Sequence, residues 1–541
     1  MSKRGKWLAA AVAALSVCAL AACSSSSKSP TTSAPNTPPA TAGSAATSAP
    51  ATSGTSGSAG AAITDFVVAR TGDIDKTDPL LATAFQTVQT LGLVYSRLVT
   101  TDGDGHIVPD LASKWDVSAD GKTITFTLRT DVKWQADGSA FTSADVKATI
   151  ARILDEKTAA VGRSNLAMIS SVDTPDDATV VLNLTAPSAA LFYALSSVSA
   201  SIESAKDIAA GTIGKADPNG TGPYSWKSWT QNQSVVLTSN PDYYGGAPAI
   251  QTLEFRVIPD ESSILSGMQA GAFQLGILSD PGVAKQASGN GFQLVKQPAL
   301  SYHALMLNGR RAPLTNEKVR VAIACAIDRN EVLTTAAYGD GEVTGPITSP
   351  AYQYDPTDGL GCTPGDTAAA KQMLADAGYA KGFTLKTIVE TGEYATAVAE
   401  ATSLKSQLAK IGVNLSIQQM PTSPYVTAWL AADYDAAVAL NGGSYDPYLM
   451  YGRYFTTGGS LSVPAGLDST KLSDLLNQGN ATTDETQRQT IFGNLQKELL
   501  AESPWIWMFR SDDYYLVSNS IQGFVPRPDE ALFTLANVSG A

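Results

Sequence analysis

Histidine is almost missing from this chain: 541 residues contain two, His106 and His303, each isolated in its local sequence. Two imidazoles make a poor zinc site, and the four cysteines form no cluster that could complete one. The chain has no G-x-S-x-G elbow and no G-x-G-x-x-G fingerprint, and the Gly-Lys of GTIGKAD (211–217) lacks the spacing of a phosphate loop. Its 50 acidic residues still allow a carboxylate pair assembled from distant segments, but no motif marks a nucleophile, metal or cofactor. We therefore expect neither an enzyme nor a cofactor. Basic residues are also scarce, 37 against 50 acidic, giving a net charge of −13. Nucleic acid asks for basic stripes and is not an expected partner.

Long apolar runs are missing too, apart from one at the start. Lys3, Arg4 and Lys6 precede an alanine-rich stretch through Ala22, too short for a confident membrane span and read as a signal peptide (1–22). It ends in Leu20-Ala21-Ala22-Cys23, which resembles a bacterial lipobox, so Cys23 is the expected lipidation site. Residues 24 to about 62 are almost entirely Ser, Thr, Ala, Pro, Gly and Asn. Such a stretch has too little to bury to offset its ordering entropy, and reads as a disordered tether spanning 23–62. With Cys18 removed and Cys23 lipidated, Cys325 and Cys362 are left for one possible disulfide in an oxidising exterior. A buried free thiol at Cys325 is nearly as good a reading.

From about Ile63 the chain is long enough for two or three domains and ordinary in composition, 44% hydrophobic and 16% charged. KTITFTLR (122–129), SVVLTSN, TLEFRVI and FQLVKQP alternate as half-buried strands should. FTSADVKATIARILDE opens with Thr142 and Asp145 in capping-box positions. NEKVRVAIACAIDRNEVL carries Val319, Ile323 and Ile327 on one helical face, and DTAAAKQMLADAGY ends at Gly378, a natural helix stop. No internal repeat is evident, so the body is an α/β protein. Asp102-Gly103-Asp104-Gly105 reads as a tight turn, since the twelfth residue of a calcium loop would be Ser113 and not Glu.

The order of motifs is more specific than any single one. The run from LVYSRLVTTDGDG to FTSADVK (93–147), then NGTGPYSW, NPDYYGG, NEKVRVAIACAIDRNEVL, KQMLADAGY and SPWIWMF, resembles the family 5 extracellular solute-binding proteins of ABC importers. The resemblance implies a two-lobed periplasmic-binding-protein-like fold (type II, cluster C). Lobe I would comprise 63–107, 218–306 and 506–541, with an additional small domain at 108–217, and lobe II would be 307–505. It implies a monomer at the extracellular face of the membrane, enclosing a solute between lobes and working with ABC permease and ATPase subunits. NGTGPY would be a rigid crossing whose glycines adopt unusual φ, and Arg320 and Asp328 would hold a helix by salt bridges.

The solute is expected to be an oligopeptide or peptide-like. An oligosaccharide or metal chelate is the alternative, with a role as peptide-signal receptor behind it. In peptide-binding members the segment resembling 442–447 lines the cleft and pairs with the ligand backbone. This makes Gly442, Gly443, Ser444, Tyr445 and Asp446 candidates, with Tyr448 beyond them and Tyr302, Tyr425 and Trp429 from other segments. Other tyrosines here, chiefly Tyr454 with Phe455, read as core. The aspartate that meets the peptide ammonium in those members is matched by Gly443. Asp433, Asp435 and Asp446 are the expected substitutes, and the two glycines would leave room for a bulkier ligand. GMQAGAFQLGIL (267–278) also lacks the family's acidic residue near Phe273, which predicts a less acidic pocket.

Overall fold

The computed structural model describes residues 61–541 except 353, 392 and 393. The signal segment, Cys23 and the tether up to residue 60 lie outside the described residues. Ala61 already belongs to the fold, because its carbonyl accepts from Gly540 N at 2.8 Å. Among the described residues no helix is long and apolar enough to cross a membrane.

The alternating segments form strands as their spacing predicts. Thr123–Leu128 and Thr179–Leu184 each bury every second residue, pairing within an antiparallel sheet between Ala112–Val117 and Ile169–Asp176. The helix Ser143–Leu154 begins with the Thr142–Asp145 capping box and buries Val146, Ile150 and Ile153 in the same core as Phe126, Val180 and Leu182.

Two larger sheets lie on either side of a pair of chain crossings. The first has seven strands, in the order Phe292–Pro298, Asp512–Ser518, Leu275–Leu278, Ile63–Arg70, Ile250–Val257, Ser234–Ser239 and Tyr224–Thr230. The second has five, in the order Val413–Met420, Phe383–Glu390, Ala436–Asn441, Tyr302–Leu307 and Trp505–Phe509. Tyr302–Leu307 and Trp505–Phe509 are buried at every position, which is why neither alternates polar with apolar residues.

The chain passes between these sheets at 299–301 and again at 510–511. The two crossings touch, with Ala299 N donating to Ser511 O at 3.0 Å. Both fall a few residues from the expected breakpoints at 306/307 and 505/506, since the whole of each buried strand stays with the five-stranded sheet.

Three local expectations change. NEKVRVAIACAIDRNEVL is two helices, Glu317–Ala326 and Arg329–Ala337, because Asp328 accepts from Asn330 N and Glu331 N and restarts the helix. Asp328 is thus a cap, and Arg320 donates to the carbonyls of Leu314 and Glu502, so neither makes the expected salt bridge. In NGTGPY the glycines serve close approach: a Cβ on Gly220 or Gly222 would lie 1.9 or 2.5 Å from the carbonyls of Val94 and Leu93. That segment leads from the four-stranded region into the seven-stranded sheet and does not cross between the two larger sheets.

Cys325 and Cys362 are joined, with Cα atoms 5.8 Å apart. Closing a 37-residue separation restricts the unfolded chain by about 4 kcal/mol in a chain-entropy account.

Candidate ligand-binding cleft

A cavity of about 230 Å³ opens beside the two crossings. Arg70, Phe85, Gln86 and Ser279 line it from one side, and His303, Leu440 and Thr396 from the other. Ser511, Asp512 and Asp513 enter it directly from the second crossing. A second cavity of about 220 Å³ carries Gly442, Gly443, Ser444 and Tyr445 in its wall. Phe85, Ser301 and Glu530 line both, so the two are segments of one cleft. Phe85 is 45% exposed although fully apolar, and presents its ring to this space.

The glycine pair divides in function. Gly442 has nothing within 4 Å of where a Cβ would stand, so it faces open cleft. A Cβ on Gly443 would lie 1.9 Å from the Leu300 carbonyl oxygen, so Gly443 is required by the first crossing and not by ligand size. An aspartate could not occupy this position without moving the crossing. Tyr445 is clamped between parts of the chain distant in sequence. Its carbonyl accepts from Ser349 Oγ at 2.7 Å, and its ring covers Gly105, in the turn joining Val99–Thr101 and Ile107–Pro109. In that turn Asp102 Oδ1 accepts from the backbone N–H groups of Asp104 and His106.

The other tyrosine, tryptophan and aspartate candidates sit elsewhere. Tyr302 is fully buried in the core of the five-stranded sheet beside Tyr451. Tyr425 belongs to that core and donates to Val438 O at 3.0 Å, while Trp429 packs on it with its indole N–H 3.2 Å from Met306 Sδ. Tyr448 packs on the same core, its ring under Gly452. Asp446 is fully buried, caps the helix Pro447–Phe455 through Tyr448 N and Leu449 N, and ion-pairs with Arg488. Asp433 and Asp435 bind Arg311 and Lys386, away from the cleft walls. None of the three aspartates can replace the one missing at 443.

Acidity comes instead from residues that the sequence reading passed over. Asp513 and Glu530 both line the main cavity. Asp513 Oδ2 has no hydrogen-bond partner and is out of reach of water. Burial, then the charges of Glu530 and Asp512, hold the Asp513 carboxyl well above the usual range. Burial, and then Asp529, push Glu530 up to about 7. The expectation of a less acidic pocket is therefore corrected. Gln274 only ties its side-chain oxygen to Val67 N, while the acids arrive with the C-terminal return of the chain. The signal available in sequence was the polar stretch Arg510-Ser511-Asp512-Asp513 between the apolar runs 505–509 and 514–517.

Nearby cations are engaged elsewhere. Arg70 donates to Gln86 O and Thr90 Oγ1 and stacks on Phe255 at 4.4 Å, and its burial lowers it to about 9. Arg527 pairs with Asp529 and donates to Thr101. His303 bridges walls, with Nε2 2.6 Å from Ser511 Oγ and Nδ1 2.8 Å from Glu400 Oε1.

Two α/β bodies joined by adjacent crossings, with a cleft at the join, define a two-lobed binding protein of the periplasmic type. Over residues 106–462 the chain matches the bacterial extracellular solute-binding proteins, family 5, and it belongs to that family. Members bind solutes without catalysis, and membership implies ABC permease and ATPase partners and an extracytoplasmic location. The chain is 26% identical over 498 residues to the glutathione-binding protein GsiB of Pectobacterium atrosepticum, covering 86% of this chain and 93% of that one. It is 26% identical over 469 residues to a dipeptide-binding protein of Escherichia coli K12, covering 80% and 87%. Among solved structures, AgaA from A. tumefaciens R10 in complex with agropinic acid superposes with a TM-score of 0.76 at 27% identity, covering 88% and 99%.

Proposed function

We propose that this chain is a lipid-anchored receptor that encloses a peptide-like solute in the cleft beside residues 442–445 and hands it to its permease. The observation that carries this reading is the cleft itself: an open glycine at 442 and a polar serine at 444 beside carboxylates without countercharge. Such a wall suits an extended backbone carrying a positive group. The names of the glutathione- and dipeptide-binding relatives support the same class. The agropinic acid bound to AgaA makes a small non-peptide solute the competing reading.

Lobe limits near 299–301 and 510–511, and a small domain at 108–217, are the corresponding division of the chain. Lipid on Cys23, followed by the tether, would hold the receptor at the membrane.

Native and denaturing mass spectra of the protein, made without refolding in a host close to its own, test the ligand class. A co-purifying mass that fragments as a short peptide is expected. A discrete non-peptide mass would replace this reading with the second. Labelling with radioactive palmitate, abolished by Cys23→Ala, tests the anchor.

A further inference from the structure

Most carboxylates at the cleft have a partner. Asp529 is held by Arg527 and Asp340 by Lys296, while Glu261 accepts from the backbone N–H groups of Ser279 and Asp280. Asp513 and Glu530 differ. Asp513 keeps one oxygen unpartnered and sealed from water, and Glu530 holds its backbone at φ 59°, in the left-handed region that a non-glycine residue rarely adopts. That conformation is fixed from both sides, since Glu530 N donates to Arg527 O at 3.0 Å and Glu530 O accepts from Gln89 Nε2 at 3.2 Å. Strained, over-determined backbone of this kind concentrates at ligand clamps. Glu530 also lies where the two cavity segments join, beside the 442–445 wall.

We propose that Asp513 and Glu530 form the subsite that receives a positively charged nitrogen of the ligand. The inference deepens the peptide-like reading and rests on it only for the source of that nitrogen, a terminal ammonium. Two neighbouring acids in a closed, poorly hydrated cleft repel one another and lose hydration, and an enclosed cation relieves both costs. The arginine lining the same cavity, Arg70, is held by Gln86, Thr90 and Phe255, and Arg527 by Asp529 and Thr101, so the cation has to come from outside. A cation arriving there displaces the proton that burial favours on the pair. Around the pair stand Asp512, Asp529, Glu261, Asp340, Tyr515, His303 and Arg70, and burial raises Asp512.

The test is calorimetry with melting curves on the wild-type protein, Asp513→Asn and Glu530→Gln. The probes are Met-Leu and Ala-Ala-Phe, their N-acetyl forms, N-acetyl-Ala-Lys and agmatine. The expected result is binding of the free peptides only, weakened on the order of 10- to 100-fold by either substitution. Both variants should melt no lower than wild type without ligand, which separates lost binding from lost folding. Binding should also tighten as pH rises through about 7, where Glu530 gives up its proton. Binding of agmatine or N-acetyl-Ala-Lys, lost in both variants, would uphold the subsite and overturn the terminal-ammonium source. Equal binding of free and acetylated peptides, unchanged in the variants, would overturn the subsite and leave the peptide reading standing. Binding by no probe would overturn both.

Discussion

Asp446 directly follows the cleft wall at 442–445 and Asp513 lines the main cavity, and the two aspartates are built to opposite ends. Asp446 has no exposure, caps a helix with two backbone N–H groups and meets Arg488, which is also fixed by Tyr352 Oη at 2.7 Å. Every lone pair it needs is answered from within the protein. Asp513 has an orphan oxygen, acidic neighbours and no countercharge. The first is part of the scaffold, and the second waits for something from outside. Residue type and location in sequence favour Asp446 as the binding residue; hydrogen-bond satisfaction favours Asp513.

The largest expected effect comes from breaking the satisfied site. Asp446→Ala leaves Arg488 buried without its partner and should cost about 3–5 kcal/mol in urea unfolding. Its ligand affinity at low temperature should stay within about twofold of wild type, since the carboxyl does not line the cleft, as a cycle of alanine variants at Asp446 and Asp513 would reveal. Gly443→Asp is the next test. Its Cβ meets the Leu300 carbonyl, so it should lose about 1–3 kcal/mol of stability and gain no affinity for free-amine peptides.

How far the sequence reaches can be seen from these same residues. The strands at 123–128 and 292–298 and the capping box at Thr142 are local patterns, and local patterns survive folding. The wall at 442–445 was visible through family resemblance, because the order of motifs fixes which segment meets the cleft. Tyr425 and Trp429 misled because helical spacing says that two residues share a face, without saying whether it looks inward. Gly443 was legible as a loss but not as a contact with Leu300, since that approach exists only once the crossing is in place. Asp513 and Glu530 come together only when the C-terminal segment returns to the N-terminal sheet, and a charged doublet at a strand start reads as surface until then.

Two smaller effects sharpen the comparison. In the ligand-free protein Glu530 binds its proton more tightly folded than unfolded, because its folded value is raised to about 7. Its stabilising contribution is therefore fully present below the unfolded value, near 4.3, and is lost as pH climbs through about 7. Glu530→Gln should flatten this part of the melting temperature against pH. Smallest is Tyr425→Phe, which removes a hydroxyl bonded to Val438 O. It should cost about 1 kcal/mol in stability with no change in ligand affinity by calorimetry.

The most direct measurement is a crystal structure of the protein with its co-purified ligand. A positively charged ligand nitrogen should lie about 2.7–3.0 Å from a carboxylate oxygen of Asp513 or Glu530, with the ligand's body along Gly442 and Ser444. A ligand held in the cleft with both carboxylates still lacking a partner, or with its cation against other groups, would contradict it.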